Sequence, residues 1–386
     1  MHAGKPPLKI LHIIVGLEIG GAELMLSRLV GAPADHLHQI HEVVSLTTVG
    51  VVGQSLREQG IVVHELRMFS VLGVANALAK LVRLIRHIQP DVVQTWMYHA
   101  DLLGGLAARF AGHRALIWGI RTTDVAAGGT RATAIVRRAC AMLSHRVPRA
   151  IACAAEASKR THIGLGYDAS KMTTVPNGFE FSKLKATASD RNTLRLQCSM
   201  GGQDVVIGYL GRFHLAKDQE NFVNAAAIVA RQHSNARFMM VGRDLDAANV
   251  RLNQWIQATG VADRFVLLGE RTDVARCLHA MDIFCLSSRT EGFPNVVAEA
   301  MYMQLPCVAT DVGDAAVLLG NTGLVVPREN AAALAQGLAT LLSMKPEEQR
   351  EMGKRASTRV VAEYSIQRAR ERFTALYHQV IEKEPA

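Results

Sequence analysis

Residues 281–301 read MDIFCLSSRTEGFPNVVAEAM, and this stretch decides the fold class. The short apolar run MDIFCLSS predicts a buried strand, and RTEGF predicts the loop at its carboxyl end. Pro294 suits the first turn of the helix that follows, because proline has no amide hydrogen to leave unpaired there. A buried strand that leads at once into a helix is the repeating unit of a parallel α/β sheet.

The same strand-to-helix pattern recurs along most of the chain. Strand-like runs, seven before residue 177 and six after residue 204, are LKILHIIV, HEVVSLTT, IVVHEL, DVVQTW, ALIWGI, AIACAA, KMTTVP, VVIGYLGR, RFMMVGR, RFVLLGE, DIFCLSS, PCVATDVG and GLVVP. Helical patterns such as GAELMLSRLVGA, NALAKLVRLIRHIQ and QENFVNAAAIVARQH lie between several of them. Residues 177–204 are polar and predict a linker region with a helix over roughly 190–199.

Alternating strands and helices predict parallel sheets with right-handed crossovers. We therefore expect an α/β chain of two Rossmann-like, doubly wound domains facing each other across a deep cleft, with ligands at the carboxyl ends of the strands. The predicted divisions are an N-terminal domain at 1–185, a linker region at 186–203 and a C-terminal domain at 204–364. The amphipathic segment 365–386 predicts a final helix that packs back on the N-terminal domain.

Composition limits the class of protein. Hydrophobic residues make up 49% and charged residues 20% of the 386, which is typical of a globular protein. No apolar run is long enough to predict a spanning helix, and the short run ILHIIV is interpreted as a first strand rather than a signal peptide. Six cysteines without a C-x-x-C pair indicate reduced thiols in the cytosol rather than a disulfide framework or a zinc site.

The net charge of +9 allows three kinds of partner: nucleic acid, an anionic membrane face or a phosphorylated small molecule. The lysines and arginines are dispersed, without basic clusters interleaved with aromatic residues. This dispersion disfavours nucleic acid.

The segment GLEIGGAE at 16–23 follows the first strand and opens a helix. Gly20 and Gly21 would let backbone amides approach an anion or a sugar, and the helix dipole would help. A plain strand-to-helix turn is the alternative. A dinucleotide site fits poorly, because the spacing is G-x-x-x-G-G and the second strand ends SLTT without an acid for a ribose.

Another candidate follows the strand DVVQTW, where His99 and Asp101 lie near a helix start. A histidine at this strand end would point into the expected cleft. The alternative is a helix-capping histidine that contacts only the backbone.

The stretch GYLGRFHLAKD at 208–218 places two cations after a strand that ends at Gly211. Arg212 and Lys217 at the carboxyl end of a strand suit a diphosphate, which departs with negative charge. Two solvated surface cations are the alternative.

The opening stretch contains two acids eight positions apart. The first amides of its helix, at Asn295, Val296 and Val297, would point at an anion. Glu291 in the loop and Glu299 in the helix would be repelled by phosphate but could accept hydrogen bonds from hydroxyl groups. A nucleotide sugar has both parts.

These motifs together resemble a known family. Glu-x7-Glu around Gly-Phe-Pro-Asn, preceded by G-R-x4-K-D, is similar to the pattern of the retaining glycosyltransferases of family 4, which have the GT-B fold. GGAE at 20–23, PNGFE at 176–180 and TDVG…NTGLVVP at 310–327 resemble further landmarks of that family. Many relatives continue TDVG with Gly-Gly and a glutamate, whereas this chain reads TDVGDAAVLLG, so the contacts of that loop are not carried over.

The resemblance implies roles for individual residues. The catalytic set would be His99 near O6 of the donor sugar, Arg212 and Lys217 on the diphosphate, and Glu291 facing the sugar. Glu299 would hold the ribose hydroxyls, and Arg271 and Gly242 would lie on either side of the nucleobase. The donor-binding set would be Gly20, Gly21, Gly242, Arg271, Phe293, Pro294, Asn295, Val296 and Glu299. Arg121 and Asp124, at the end of the strand ALIWGI, would line the acceptor side.

The resemblance also implies a reaction. A hexosyltransferase would move a sugar, with retention, from a nucleotide-diphosphate sugar such as a UDP-sugar to a glycan or lipid-diphosphate-linked oligosaccharide in surface polysaccharide synthesis. The sequence offers no clear carboxylate nucleophile, and the route that the resemblance implies is a front-face one. The cations Arg212 and Lys217 and the helix dipole could take the place of Mg²⁺, so we expect metal independence and no cofactor. A 2-epimerase of the same fold and a nucleotide-sugar-binding pseudoenzyme remain alternatives.

Apolar and cationic residues share the stretch 133–149. This mixture suggests contact with an anionic membrane, and hence a cytoplasmic protein at the inner face of the plasma membrane. A buried helix with arginines reaching to solvent is an equal alternative.

Overall fold

The computed structural model describes residues 6–31, 39–68, 73–123 and 130–382. The chain forms two compact units: unit 1 comprises Met1–Phe179 and Ile366–Ala386, and unit 2 comprises Glu180–Ser365. The first change of unit therefore falls at Phe179, a little before the division we placed at residue 185.

Unit 1 contains a seven-stranded parallel sheet. Its elements up to residue 174 are β1 (Leu8–Ile14), α1 (Gly21–Val30), β2 (Gln39–Ser45), α2 (Gly50–Glu58), β3 (Val62–Glu65), α3 (Gly73–Ile88), β4 (Val92–Trp96), α4 (Tyr98–Phe110), β5 (Leu116–Ile120), α5 (Arg131–Ser144), β6 (Ala150–Cys153), α6 (Glu156–Gly164) and β7 (Met172–Thr174). The strand order is β3-β2-β1-β4-β5-β6-β7. The order reverses between β1 and β4, where this kind of sheet opens a crevice.

Unit 2 contains a six-stranded parallel sheet. Its elements are α7 (Ala188–Gln197), β8 (Val205–Leu210), α8 (Gln219–Gln232), β9 (Ala236–Val241), α9 (Val250–Ala258), β10 (Phe265–Leu267), α10 (Val274–Ala280), β11 (Ile283–Leu286), α11 (Asn295–Tyr302), β12 (Cys307–Thr310), α12 (Ala315–Leu319), β13 (Leu324–Val326), α13 (Ala331–Ser343) and α14 (Pro346–Tyr364). The order β10-β9-β8-β11-β12-β13 reverses between β8 and β11. Each of the thirteen predicted strand runs forms a strand, which confirms the doubly wound parallel architecture.

The central strands of both sheets, such as β4, β5, β11 and β12, are buried on both faces, as is typical of a parallel sheet. Trp96 and Trp118, from neighbouring strands of unit 1, are fully buried in separate clusters of apolar side chains. In unit 2, Phe222 and Phe238 are equally buried in the cluster that β8 and β9 share with α8. Each such side chain contributes about 1.5–3 kcal/mol through its burial.

The predicted linker region contains a packed helix. Helix α7 begins with a capping box in which Thr187 and Asp190 each bind the other's backbone amide. Arg191 and Arg195 on this helix bind the carboxylate of Asp282, the residue before β11. The segment is thus an element of unit 2, and its helix begins two residues earlier than expected.

The last helix, α15 (Ile366–Glu382), completes unit 1. Phe373 and Leu376 join the apolar cluster on one face of the sheet. The hydroxyl of Tyr377 donates to Gln94 Oε1 at 2.6 Å, which ties the helix to the middle of β4. None of the helices among the described ranges is long and apolar enough to cross a membrane.

Candidate functional site

In unit 2, the loops that follow β8 and β11 lie side by side where the strand order reverses. Ser287 Oγ donates to the carbonyl oxygens of Lys217 at 3.1 Å and Asp218 at 3.0 Å. The amide of Arg289 donates to the carbonyl of Ala216 at 2.9 Å. A crevice is expected at this edge of a doubly wound sheet, and these hydrogen bonds hold in place the two loops that border it.

The structure brings Lys217 and Glu291 together across these two loops. Lys217 Nζ lies 2.6 Å from Glu291 Oε1, and Ser288 Oγ donates to the same oxygen at 2.7 Å. The side chains are 25% and 10% exposed, so this charge-assisted hydrogen bond is largely shielded from water. The sequence placed both residues in the site but assigned them to different parts of a ligand, and it did not predict that they bind each other.

A second ion pair holds the same two loops, and the sequence did not point to it. Asp218 is buried in the left-handed conformation at φ 47°, and Arg289 Nη2 donates to its Oδ1 at 3.0 Å. The pair could have been found in the sequence from the opposite charges of two residues on loops that follow neighbouring strands. The pair fixes the position of the adjacent Lys217.

Helix α11 begins one residue later than predicted. Pro294 precedes the helix, with φ −78° and ψ 87°, and is not in its first turn. The amide of Val297 donates to the carbonyl of Pro294 at 3.0 Å, so the prediction of a free amide there is wrong. Asn295 and Val296 hold the first two helical positions, at the positive end of the helix dipole. Glu299 lies half-buried one turn further on.

A third loop, which follows β12, packs against the backbone of the Glu291 loop. Gly313 has φ 57°, and a Cβ there would lie 2.3 Å from the carbonyl oxygen of Gly292. The amide of Asp314 donates to that same oxygen at 2.9 Å. Glycine is required at 313 for this contact, which explains the Gly of the TDVG motif by packing.

Phe293 does not present its ring at the surface of this site. Its ring is buried, with its centroid 5.2 Å from that of Tyr364 at the end of α14. The side chain therefore serves packing within unit 2. Donor binding at Phe293 stays a prediction.

Gly242 follows β9 and lies against the loop after β8. Its φ is 145°, and a Cβ would lie 2.2 Å from the carbonyl oxygen of Gly211. Its amide donates to the carbonyl of Gly269 at 2.8 Å. Close packing of three strand ends accounts for this glycine, and donor binding at Gly242 stays a prediction.

Arg212 and Arg271 differ in whether their guanidinium groups form an ion pair with another described residue. The Arg212 side chain is exposed and forms no ion pair with the residues that the structure describes. Arg271 donates to both carboxylate oxygens of Asp273, at 2.8 and 2.6 Å. These hydrogen bonds hold the pKa of Asp273 below its usual value. Arg271 is thus oriented by a neighbour, whereas Arg212 can reorient towards an anion.

In unit 1, Gly20 and Gly21 lie at the start of α1. A Cβ at Gly21 would meet nothing within 4 Å, and a Cβ at Gly20 would meet only the mobile carboxylate end of Glu23. The protein's own packing therefore does not demand glycine here, unlike at Gly313. Room for a ligand close to the backbone remains the interpretation that explains both residues.

His99 is exposed at the second position of α4, and it does not cap the helix. The residue before the helix is Met97, and no side chain bonds to the first amides of α4. The capping alternative for His99 is therefore wrong. Desolvation lowers the pKa of His99, so its imidazole is neutral at neutral pH and can accept or donate a hydrogen bond.

The guanidinium group of Arg121 is bound by other residues of unit 1. Its Nη1 donates to the carbonyl of Val175 at 3.0 Å, its Nη2 binds Asn177 Oδ1, and its guanidinium lies 5.6 Å from the Trp96 ring centroid. Burial lowers the pKa of Arg121 to about 10, which still leaves it charged at neutral pH. It therefore holds the PNGFE segment, and its place on the acceptor side stays a prediction. Asp124 lies outside the described residues.

Among the described residues, no group of three or more His, Cys, Asp or Glu side chains is arranged to hold a metal ion. All six cysteines are free thiols, and five of them are buried.

Comparison with known proteins gives two family matches. Residues 19–183 match the family described as Glycosyltransferase Family 4, and residues 204–344 match the family described as Glycosyl transferases group 1. The first match falls almost wholly in unit 1 and the second in unit 2. Together they cover most of the chain.

Two curated relatives are similar over part of their length. The alpha-D-kanosaminyltransferase of Streptomyces kanamyceticus is 28% identical over 198 residues, and the match covers 50% of each chain. The UDP-Gal:alpha-D-GlcNAc-diphosphoundecaprenol alpha-1,3-galactosyltransferase of Escherichia coli is 22% identical over 258 residues, or 66% of each chain. The chain thus spans about half the length of the first relative.

Among solved structures, Anabaena HepE in complex with UDP superposes with a TM-score of 0.83 at 22% identity. The alignment covers 96% of this chain and all of that one. The likeness is one of fold, and it confirms the predicted GT-B class.

Proposed function

Because the chain belongs to glycosyltransferase family 4, we propose that it is a retaining hexosyltransferase. The donor is a nucleotide-diphosphate sugar, with uridine as the base. The acceptor is a hydroxyl group of a glycan or a lipid-diphosphate-linked oligosaccharide, and the product contributes to a surface polysaccharide.

One observation carries this proposal. A lysine, a glutamate and the amino end of a helix lie together in unit 2, at the place where the strand order of its sheet reverses. Lys217 and Glu291 are hydrogen-bonded there at 2.6 Å, and Glu291 leads within four residues into α11. The amino end of α11 supplies positive potential, and Glu299 supplies a carboxylate one turn beyond it. A ligand with a diphosphate between two hydroxyl-rich groups satisfies all of these groups.

In the proposed reaction the bond between C1 of the sugar and the diphosphate oxygen breaks. The acceptor oxygen forms its bond to C1 on the same face and gives its proton to an oxygen of the departing diphosphate. Arg212, Lys217 and the amides of α11 stabilise the charge that develops on that diphosphate. Glu291 orients the sugar hydroxyls, and His99 bonds to the sugar near its reacting centre.

We expect transfer without a metal ion, because these cations and amides face the leaving group. Turnover should therefore persist in excess EDTA. A strict requirement for Mg²⁺ or Mn²⁺ would contradict this part of the proposal.

The acceptor proposal is supported by the Escherichia coli relative, whose name specifies a diphosphoundecaprenol-linked acceptor. Such an acceptor lies in a membrane, and α5 offers a surface for contact. Its outer stripe contains Arg131, Ile135, Arg138 and Met142, at helical spacing. Ile135 is 66% and Met142 is 73% exposed, so the buried-helix alternative does not hold for these two side chains.

We therefore propose that α5 contacts the anionic inner face of the plasma membrane from the cytoplasm. Vesicles containing an anionic lipid should float with the wild-type protein at low salt. The charge-reversed variant Arg138→Glu should float less, and neutral vesicles should not carry either protein. Equal flotation on neutral and anionic vesicles would contradict the proposed contact.

A thermal-shift screen of UDP, GDP and their sugars tests the donor. A ligand at about 100 times its Kd adds about 2.7 kcal/mol to the free energy of unfolding. The stabilising donor is then incubated with a lipid-linked acceptor, and the anomeric configuration of the product is measured by NMR. Binding without transfer would indicate a pseudoenzyme, a 2-epimer of the donor would indicate an epimerase, and an inverted product would refute retention.

A further inference from the structure

The turn between β4 and α4 has a backbone conformation that is rare for a residue with a side chain. Met97 has φ 72° and ψ 158°, a region occupied almost entirely by glycine. Its amide donates to the carbonyl of Gly119 at 2.8 Å, and its carbonyl accepts the amide of Asp101 at 2.8 Å. Strain of this kind persists only where the surroundings enforce it, and it is concentrated at functional sites.

The carboxyl group of Asp101 binds the segments that surround Met97. Asp101 is fully buried in the first turn of α4. Its Oδ1 accepts the hydroxyl of Thr95 at 2.5 Å and the amide of Gly119 at 3.1 Å. One oxygen atom therefore joins the end of β4, the end of β5 and the start of α4, on both sides of Met97.

Burial favours the neutral form of Asp101, and it outweighs the two hydrogen bonds to Oδ1, which favour the ionised form. No described cation lies within ion-pair distance of it, and its Oδ2 has no hydrogen-bond partner among the described residues. The titratable groups that face it are Tyr98 on the same helix, Cys140 on α5, Cys153 on β6 and Tyr167 before β7. Burial raises the pKa of each, so all four are neutral at neutral pH. Burial likewise raises the pKa of Asp101 to about 8.

We propose that Asp101 is a positioning residue: through the hydrogen bonds that its Oδ1 accepts from Thr95 and Gly119, it holds the strained Met97 turn and thereby fixes His99 at the carboxyl end of β4. It does so in its neutral form. Asp101 itself touches no substrate. The inference rests on the proposed function, in which His99 contacts the donor sugar. When Asp101 loses its proton, an unpaired charge remains in a closed site, and the turn must open to admit water.

The pH profile of kcat tests this role. One unit above its pKa, Asp101 keeps its proton in about a tenth of the molecules, so wild-type kcat should fall about tenfold near pH 9. Asp101→Asn is a neutral isostere and should not show that fall. Asp101→Ala should lower kcat at least tenfold at every pH, with little change in the KM for the donor. The matched control is Glu58→Gln on the exposed end of α2, which should follow the wild-type profile.

An unchanged alkaline fall in Asp101→Asn would overturn the proposal, as would wild-type kcat in Asp101→Ala. If Asp101→Ala does not fold, Thr95→Val replaces it, because it removes the hydroxyl that binds Oδ1. Thr95→Val should also lower kcat with little effect on KM. A wild-type kcat in this variant would count against the positioning role of Asp101.

A second measurement does not need activity. The native chain keeps a proton on Asp101 that the unfolded chain releases above about pH 4, so this group makes stability fall as pH rises from about 4 to 8. The thermal midpoint of Asp101→Asn should lack that component. If no donor supports transfer, the proposed function fails, while this comparison still decides whether Asp101 is neutral. Parallel pH curves for the two proteins would refute the inference.

Discussion

At the residue scale, Lys217 is the side chain on which the proposed chemistry depends most. It is the cation that Glu291 already holds at 2.6 Å, so it is in place before any donor binds. A preorganised cation loses little on reaction, which makes its removal costly. Lys217→Ala should lower kcat by about 10²–10³, or ~3 kcal/mol, in a donor turnover assay.

The matched control for this prediction is Lys354→Ala, an exposed lysine on α14 of the same unit. Its turnover should equal that of the wild type. Near-normal turnover in Lys217→Ala would remove Lys217 from the mechanism and leave the pair with Glu291 as a structural contact.

Also at the residue scale, the sequence predicted which residues lie in the loops of the candidate site better than it predicted where their side chains point. Lys217 and Glu291 were found because both follow strands, and the ends of parallel strands gather at one edge. Arg121 and Phe293 also follow strands, yet one is bound to Asn177 and the other is buried against Tyr364. Their partners are far away in the sequence, and no local pattern reveals such a contact.

At the element scale, helix α7 is held to unit 2 by a shared carboxylate. Arg195 is 10% exposed and binds Asp282, which also accepts the amide of Val206 at 2.7 Å. Asp282→Asn would leave a nearly buried guanidinium without its counter-ion. We expect it to lower the free energy of unfolding by about 2–4 kcal/mol, measured by urea denaturation followed by circular dichroism.

The exposed pair of Arg264 and Asp263 provides the control. The Asp263 side chain is 76% exposed, so Asp263→Asn should cost less than about 1 kcal/mol. Adding Arg195→Met to Asp282→Asn should recover part of the loss, because it removes the stranded charge. Equal effects at Asp282 and Asp263 would show that α7 does not depend on this ion pair.

At the scale of the whole molecule, unit 1 should be sensitive to acid through a pair of histidines, the fully buried His12 and the half-buried His41. The Trp96 indole donates to His12 Nδ1 at 3.2 Å, and His12 Nε2 lies 3.0 Å from His41 Nδ1. Burial lowers the pKa of both, that of His41 to about 4. The native state therefore keeps them neutral, while the unfolded chain takes up protons below about pH 6.5.

Stability from these groups is fully present above about pH 6.5 and is lost as pH falls towards 4. We expect a decrease on the order of 2 kcal/mol over that range in the wild type, and a smaller one in His41→Gln. Thermal unfolding at each pH measures the difference. An identical decrease in both proteins would assign the acid sensitivity to other groups.

The sequence by itself determined the thirteen strands, the two parallel sheets and the loops in which the candidate site lies. These features follow from apolar periodicity and turn residues, which act over a few neighbouring positions. Only the tertiary structure decided that α15 is tied to β4 through Tyr377 and Gln94, that Lys217 binds Glu291 and that Met97 is held in a strained turn next to Asp101. Such contacts join residues distant in sequence, and they form only when several elements pack together and bury the groups between them. The stretch MDIFCLSSRTEGFPNVVAEAM thus determined its own strand and helix, while the packing around it decided that Glu291 pairs with Lys217 and that Phe293 is buried against Tyr364.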